Sequence, residues 1–250
     1  YYKTSRGFSG KNVELFLGNF VSLLAREKVG AKKAFDRLQT WECWPVIRDL
    51  LKLGLPMGVS VFMEGSLFVA TALLIARLGA LDVAAHQIAL NVASVCFMLP
   101  LGIAMATTVR VGNAVGAGDV AGVRWVGAAG YALAFLTQTL AAAVLIFAGP
   151  WITGFYTRDA AVASLAVLLM WYAAIFQYPD GIQALSAGAL RGLKDTRVPM
   201  FITIGAYWGV GLPLGAWFGL HQHQRAPGLW IGLILGLSVA AGLLTWRFWR

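Results

Sequence analysis

Two acidic residues stand where an apolar chain can least easily hold them. Glu64 lies near the middle of 53–76, a run of 24 residues with no other charge. Asp180 lies well inside a second apolar run, 160–190. At 1.5 Å per residue, about 20 apolar residues cross a bilayer core of roughly 30 Å, so both runs are long enough to span. A carboxylate near the midplane costs about 2.5–3.5 kcal/mol to insert. The other acids, such as Asp82, Asp119, Asp159 and Asp195, fall in flanks or turns, and no Lys or Arg is expected deep in a span to neutralise the pair. Low dielectric favours the uncharged form of a carboxyl group, and a second acid nearby favours it further. Such a pair can hold a proton or a cation and release it when water arrives, which is the minimal chemistry of ion coupling. The plainer alternative is two neutral acids that hydrogen-bond neighbouring helices.

The residues around these acids extend the chemistry. Pro179 directly precedes Asp180 and removes a backbone donor, leaving the carbonyl near Ile175 without its helical partner. A freed carbonyl beside a carboxylate is a good cation ligand, and transporters build ion sites from broken helices. Pro100 and Pro213 are further candidate helix breaks, either static bends or hinges. Gln87, Asn91 and Ser94 recur at i, i+4, i+7 and Gln183 follows Asp180 by three, so these are candidate cavity-lining groups or interhelical hydrogen bonders. Phe97 offers a face for a cation or a drug, or simply packs. His86 reads as a structural histidine or a relay near a span end.

The elements that must position these side chains are apolar helices. The chain has 250 residues, 59% hydrophobic and 12% charged, against about 25% charged in soluble domains. Mean hydropathy is +0.71. The fold class is therefore an all-α integral membrane protein, a six-helix transmembrane bundle. The expected spans are 53–77, 84–109, 123–153, 160–190, 198–219 and 227–247, preceded by a basic flank over 1–52 with a short amphipathic helix at 12–25. Gly228, Gly232 and Gly236 have the small-xxx-small spacing of close helix contacts. Cys43 and Cys96 are not placed to form a disulfide framework or a zinc site. Of the 20 Lys and Arg, seventeen fall on the side of the N-terminal flank and three, Arg77, Arg158 and Arg225, on the other. By the positive-inside rule both termini are cytoplasmic. The net charge of +9 is thus a topology signal that favours anionic lipid surfaces, not the footprint of nucleic acid.

Several motifs occur in order. They are the Gly-Leu-Pro entry before Glu64, AAHQIALN at 84–91, FMLPLGIAMA at 97–106, RVGNAVGAGD at 110–119, QYPDGIQALSAGALRGLKDTR at 177–197 and YWGVGLPLG at 207–215. Together they resemble the NorM branch of the multidrug and toxic compound extrusion (MATE) transporters, from the seventh helix onward, over roughly four fifths of the chain. The resemblance implies two similar six-helix lobes, of which this chain holds the C-terminal one, and drug export from the inner membrane driven by inward Na+ or H+. It implies that Glu64 and Asp180, matching the acids of the seventh and tenth helices, bind the coupling ion. In some members an aromatic hydroxyl one turn before the second acid contributes. Here that position is Phe176, and Tyr178 points elsewhere on the helix, which leaves proton coupling more open.

The expected partners are small organic cations, the lipid bilayer and the missing N-terminal six-helix lobe; no cofactor beyond the coupling ion is expected. Three other readings compete. A lipid-linked precursor flippase of the same superfamily needs a basic cavity for a pyrophosphate head group. An intramembrane aspartyl protease needs two aspartates, one in Gly-x-Gly-Asp, and that motif does not occur here. A non-transporting scaffold tolerates loss of both acids.

Overall fold

The computed structural model describes residues 44–250. The amphipathic helix expected at 12–25 and most of the basic flank lie outside the described residues. The chain divides into two compact units, Tyr1–Lys52 and Leu53–Arg250. The second is all-helical among the described residues, and six helices are long and apolar enough to cross a membrane. We label the helices α1 (Trp44–Ala76), α2 (Ala80–Gly116), α3 (Val120–Phe147), α4 (Gly149–Tyr156), α5 (Ala160–Gly192), α6 (Arg197–His221) and α7 (Arg225–Trp249).

The helix limits differ from the sequence reading where local signals outweigh hydropathy. Residues 44–52, inside the stretch read as a basic flank, are already helical, because they contain no helix breaker after Pro45. The single span expected over 123–153 is two helices, α3 and the short α4. Gly149 and Pro150 open α4, and proline is well placed only in a first helical turn. The turns use suitable chemistry. Gly79 and Gly118 take φ of 122° and 71°, which a Cβ disfavours. Asp119 caps α3 by accepting from Gly122 N at 2.8 Å, and Asp159 caps α5 by accepting from Ala161 N at 2.8 Å.

The centre of the bundle is α5, which packs on α2, α3, α4 and α7 and is buried over most of Ala173 to Leu190. In lipid, apolar helices gain little from touching each other rather than acyl chains, so close packing and polar contacts decide association. The α6–α7 seam shows the first. Gly211, Gly215 and Gly219 meet Gly236, Gly232 and Gly228 in antiparallel order. A Cβ at Gly236 would lie 2.7 Å from Gly211 Cα, and one at Gly228 2.6 Å from Gly219 N. The α2–α5 contact shows both: Thr108 Oγ1 donates to Gly188 O at 2.8 Å, and a Cβ at Gly188 would meet Ala104 O at 2.6 Å. Ion pairs tie both ends of α7. Buried Asp82 on α2 holds the Arg225 guanidinium, and Asp195 holds Arg247 at 3.0 Å.

Proline does not break α2 or α5. Pro100 and Pro179 lie inside uninterrupted helices. One missing donor is tolerated where packing holds the helix in place, and α5 is packed on most sides. Backbone departure is concentrated in α6, where Gly205–Gly211 and Trp217–His221 are π-helical and Pro213 lies in the α-helical turn between them.

Candidate functional site

Glu64 and Asp180 line one cavity. Its volume is about 80 Å³, and its walls also carry Phe68, Leu90, Ala93, Ser94, Phe97 and Phe176. That is room for about five waters at roughly 15 Å³ each, or for a cation with part of its hydration shell. The lining is apolar and aromatic apart from the two acids and Ser94. Asp180 is 4% exposed, and its Oδ1 has no hydrogen-bond partner among the described residues. Glu64 is half-buried and takes part in no ion pair within 4.0 Å there. Two carboxyl groups with open valences on one small, largely apolar cavity can share a proton or flank a monovalent cation.

Each acid is held by a different kind of support. Asp180 is fixed because α5 is clamped from two sides. Gln138 Nε2 on α3 donates to Gln177 O at 2.6 Å and to Gln177 Oε1 at 3.3 Å, and Gln177 Nε2 donates to Ala93 O on α2 at 3.0 Å. Both glutamines are almost fully buried. Gly181 makes the clamp possible, since a Cβ there would lie 2.8 Å from Gln138 Cγ. Glu64 rides on α1, whose buried contacts beyond it run along one stripe, Leu67, Thr71 and Ile75, with Phe68 edge-on to Phe176 at 6.1 Å. Behind this wall sits Trp230, edge-on to Phe176 at 5.7 Å and to His86 at 5.8 Å.

The other sequence-predicted residues divide. Ser94, Phe97 and Phe176 line the acid cavity. Gln183 is buried and lines a second, smaller cavity of about 20 Å³ that also touches Glu64. Gln87 and Asn91 are exposed and line neither cavity; Asn91 Oδ1 accepts from Tyr156 OH at 3.0 Å. The i, i+4, i+7 stripe is thus real, but its upper part faces outward from this bundle. Tyr178 turns away from the acids, its hydroxyl donating to Thr139 Oγ1 at 3.2 Å and its ring on Phe135 at 5.5 Å. His86 is 1% exposed against Trp230 with neither ring nitrogen hydrogen-bonded among the described residues.

Three participants were not anticipated. The Gln138–Gln177 clamp had a signal, since Gln138 is a lone amide and Gln177 one of two, each well inside an apolar run. Tyr207 is fully buried in the π-helical stretch of α6, its hydroxyl unpartnered among the described residues. Arg191 lines the smaller cavity with Glu64, so the expectation that no basic group lies near the acids does not hold.

With this geometry in place, the chain can be set beside known proteins. The MatE family matches residues 56–217. The chain belongs to the MATE family. It is 58% identical over 205 residues to a probable multidrug resistance protein NorM of Xanthomonas campestris pv. campestris, covering 82% of this chain and 45% of that protein. It is 41% identical over 243 residues to the multidrug resistance protein PmpM of Pseudomonas aeruginosa, covering 94% and 50%. The chain thus spans about half the length of the curated relatives it matches. Its fold is that of the eukaryotic MATE transporter AtDTX14, with a TM-score of 0.78 at 20% identity over 83% of this chain and 47% of that one. An outward-facing MATE structure gives 0.74 at 19%, again over about half of the longer protein. The six-helix bundle is accordingly the C-terminal lobe of the MATE fold.

Proposed function

We propose that this chain works as one lobe of a secondary active multidrug antiporter, in which Glu64 and Asp180 carry the coupling ion. The observation that carries the reading is the shared cavity: two acids from different helices, neither in an ion pair among the described residues, on one small apolar-walled space. The relatives' names, multidrug resistance proteins, supply the cargo class. A proton or Na+ held between the acids removes the cost of two exposed charges in a low-dielectric wall, and wetting the cavity from the other side releases it. Cation binding biases one conformation of the lobe and drug binding the other, so the two are coupled by their differential affinities. The drug site requires the N-terminal six-helix lobe as its second wall. The acid cavity has no basic lining residue, which is unlike a site for a pyrophosphate head group.

The test uses the chain joined to an N-terminal MATE lobe and reconstituted in vesicles. Asp180→Asn and Glu64→Gln abolish dye export driven by an imposed Na+ or pH gradient, while insertion holds. Export at the parental rate by both variants makes the acids structural. The lone chain confers no dye resistance on cells. We further propose an inner-membrane location with both termini cytoplasmic. Cysteines at Ala80 and Gln222 are then labelled from outside and those at Gly116 and Lys194 are not; labelling of Gly116 from outside overturns the orientation.

A further inference from the structure

Glu64 borders two cavities of opposite character. On one side lies Asp180. On the other lies the space of about 20 Å³ walled by Ser60, Gln183, Arg191, Asp195, Thr196 and Thr203 among others. One face of α5 connects the two, because Gln183, Ala187 and Arg191 recur every four residues below Asp180. The step from Asp180 to Arg191 is about 16 Å along the helix. A glutamate reaching from α1 between these levels has an acid above and a guanidinium below.

The charges in this lower cavity are unequally satisfied. Asp195 is neutralised by Arg247 at 3.0 Å. Arg191, only partly exposed, makes no ion pair or hydrogen bond among the described residues, although Asp195 lies four positions away. Glu64 makes none either. The two unsatisfied opposite charges therefore line one small polar cavity, separated by more than an ion-pair distance.

We propose that Arg191 is the resident counter-cation of Glu64, a positioning residue that pairs with the carboxylate when no coupling cation is held against Asp180. Both side chains are long and flexible, and both line the same small cavity. The guanidinium is a permanent charge with a planar fork suited to a carboxylate. Glu64 then exchanges one positive partner for another through a transport cycle. This rests on the reading of Glu64 as a coupling acid. The pairing itself is separately measurable.

The experiment is a double-mutant cycle on the thermal unfolding midpoint of the chain in lipid nanodiscs, with Arg191→Gln, Glu64→Gln and the two combined. Removing one partner strands the other's charge, whereas removing both does not. Arg191→Gln is expected to lower the midpoint by roughly 4 °C. The same change made on Glu64→Gln is expected to cost less than half of that, and Arg191→Lys to retain most of the parental midpoint. If Arg191→Gln does not fold, the proposal requires that the combined variant does. Additive shifts, or a combined variant that fails to recover, overturn the pairing and assign Arg191 to helix-end or lipid contacts. That outcome leaves the amide variants' transport test of the coupling acids untouched.

Discussion

The α6–α7 seam and the α1–α5 face are built from the same apolar vocabulary and reach opposite ends. Along the seam, six glycines bring two backbones into contact, so that a Cβ on Gly236 would lie 2.7 Å from Gly211 Cα. Where α1 approaches α5, bulky side chains and two cavities lie between the helices, and both cavities touch Glu64. In a bilayer the hydrophobic effect does not distinguish these arrangements, because lipid solvates both. Close approach gains dispersion along its whole length. Cavities forgo it, and leave space in which a carboxylate can acquire, exchange or lose a partner. Stiffness sits in α6–α7, and chemistry sits where packing is incomplete.

The largest expected effect comes from breaking the stiff side. Gly232→Leu places a side chain against Gly215 and 2.6 Å from Gly211 O, backbone atoms that cannot move aside cheaply. It should cost about 3 kcal/mol or more, read as loss of a monodisperse protein in detergent. At Gly65, on α1, an added Cβ meets nothing within 4 Å, and Gly65→Leu should be tolerated. If both behave alike, the contrast between the regions is not one of packing.

Next in size is the clamp that fixes Asp180. Gln138→Leu keeps the volume but removes the donor to Gln177 O and Gln177 Oε1. A cost of about 1–3 kcal/mol is expected for buried acceptors left unpaired, read as a lower unfolding midpoint. Asp180→Asn, by contrast, should hold or raise the midpoint, because a neutral amide inserts more cheaply than an acid. A fall as large as that of Gln138→Leu would place Asp180 among the structural groups. The smallest effect is expected at Tyr178→Phe, which deletes one hydroxyl bond to Thr139 at the rim. An interhelical hydrogen bond in a membrane is worth about 0.6 kcal/mol on average, so the unfolding midpoint should move by no more than about a degree or two.

Much of this contrast was legible before any coordinates. An uninterrupted apolar run around Glu64 reveals a span, because hydrocarbon accepts only helices or closed barrels. The lone acids stood out because so little else in the spans is charged. Gly228, Gly232 and Gly236 announced a close contact, yet not with what. The partner glycines at 211, 215 and 219 also repeat every four residues, but one seam is not addressed to another by spacing alone. The α3–α4 break at Gly149-Pro150 was carried past by hydropathy, which does not register a missing donor. At Pro179 the packing around α5 keeps the helix continuous across the missing donor.

The sequence by itself determined the class of the molecule, the six spans found among the described residues and the two acids worth attention. These are properties of composition and of distance along one chain, and the bilayer imposes them on each helix separately. Only the tertiary structure decided that Glu64 and Asp180 share a cavity, that Gln138 and Gln177 hold α5 between its neighbours, and that Arg191 lines a second cavity with Glu64. Helix rotation and the packing between helices set all three. In lipid no hydrophobic gradient fixes that rotation; glycine contacts and buried amides do, and they act between residues that the sequence keeps far apart.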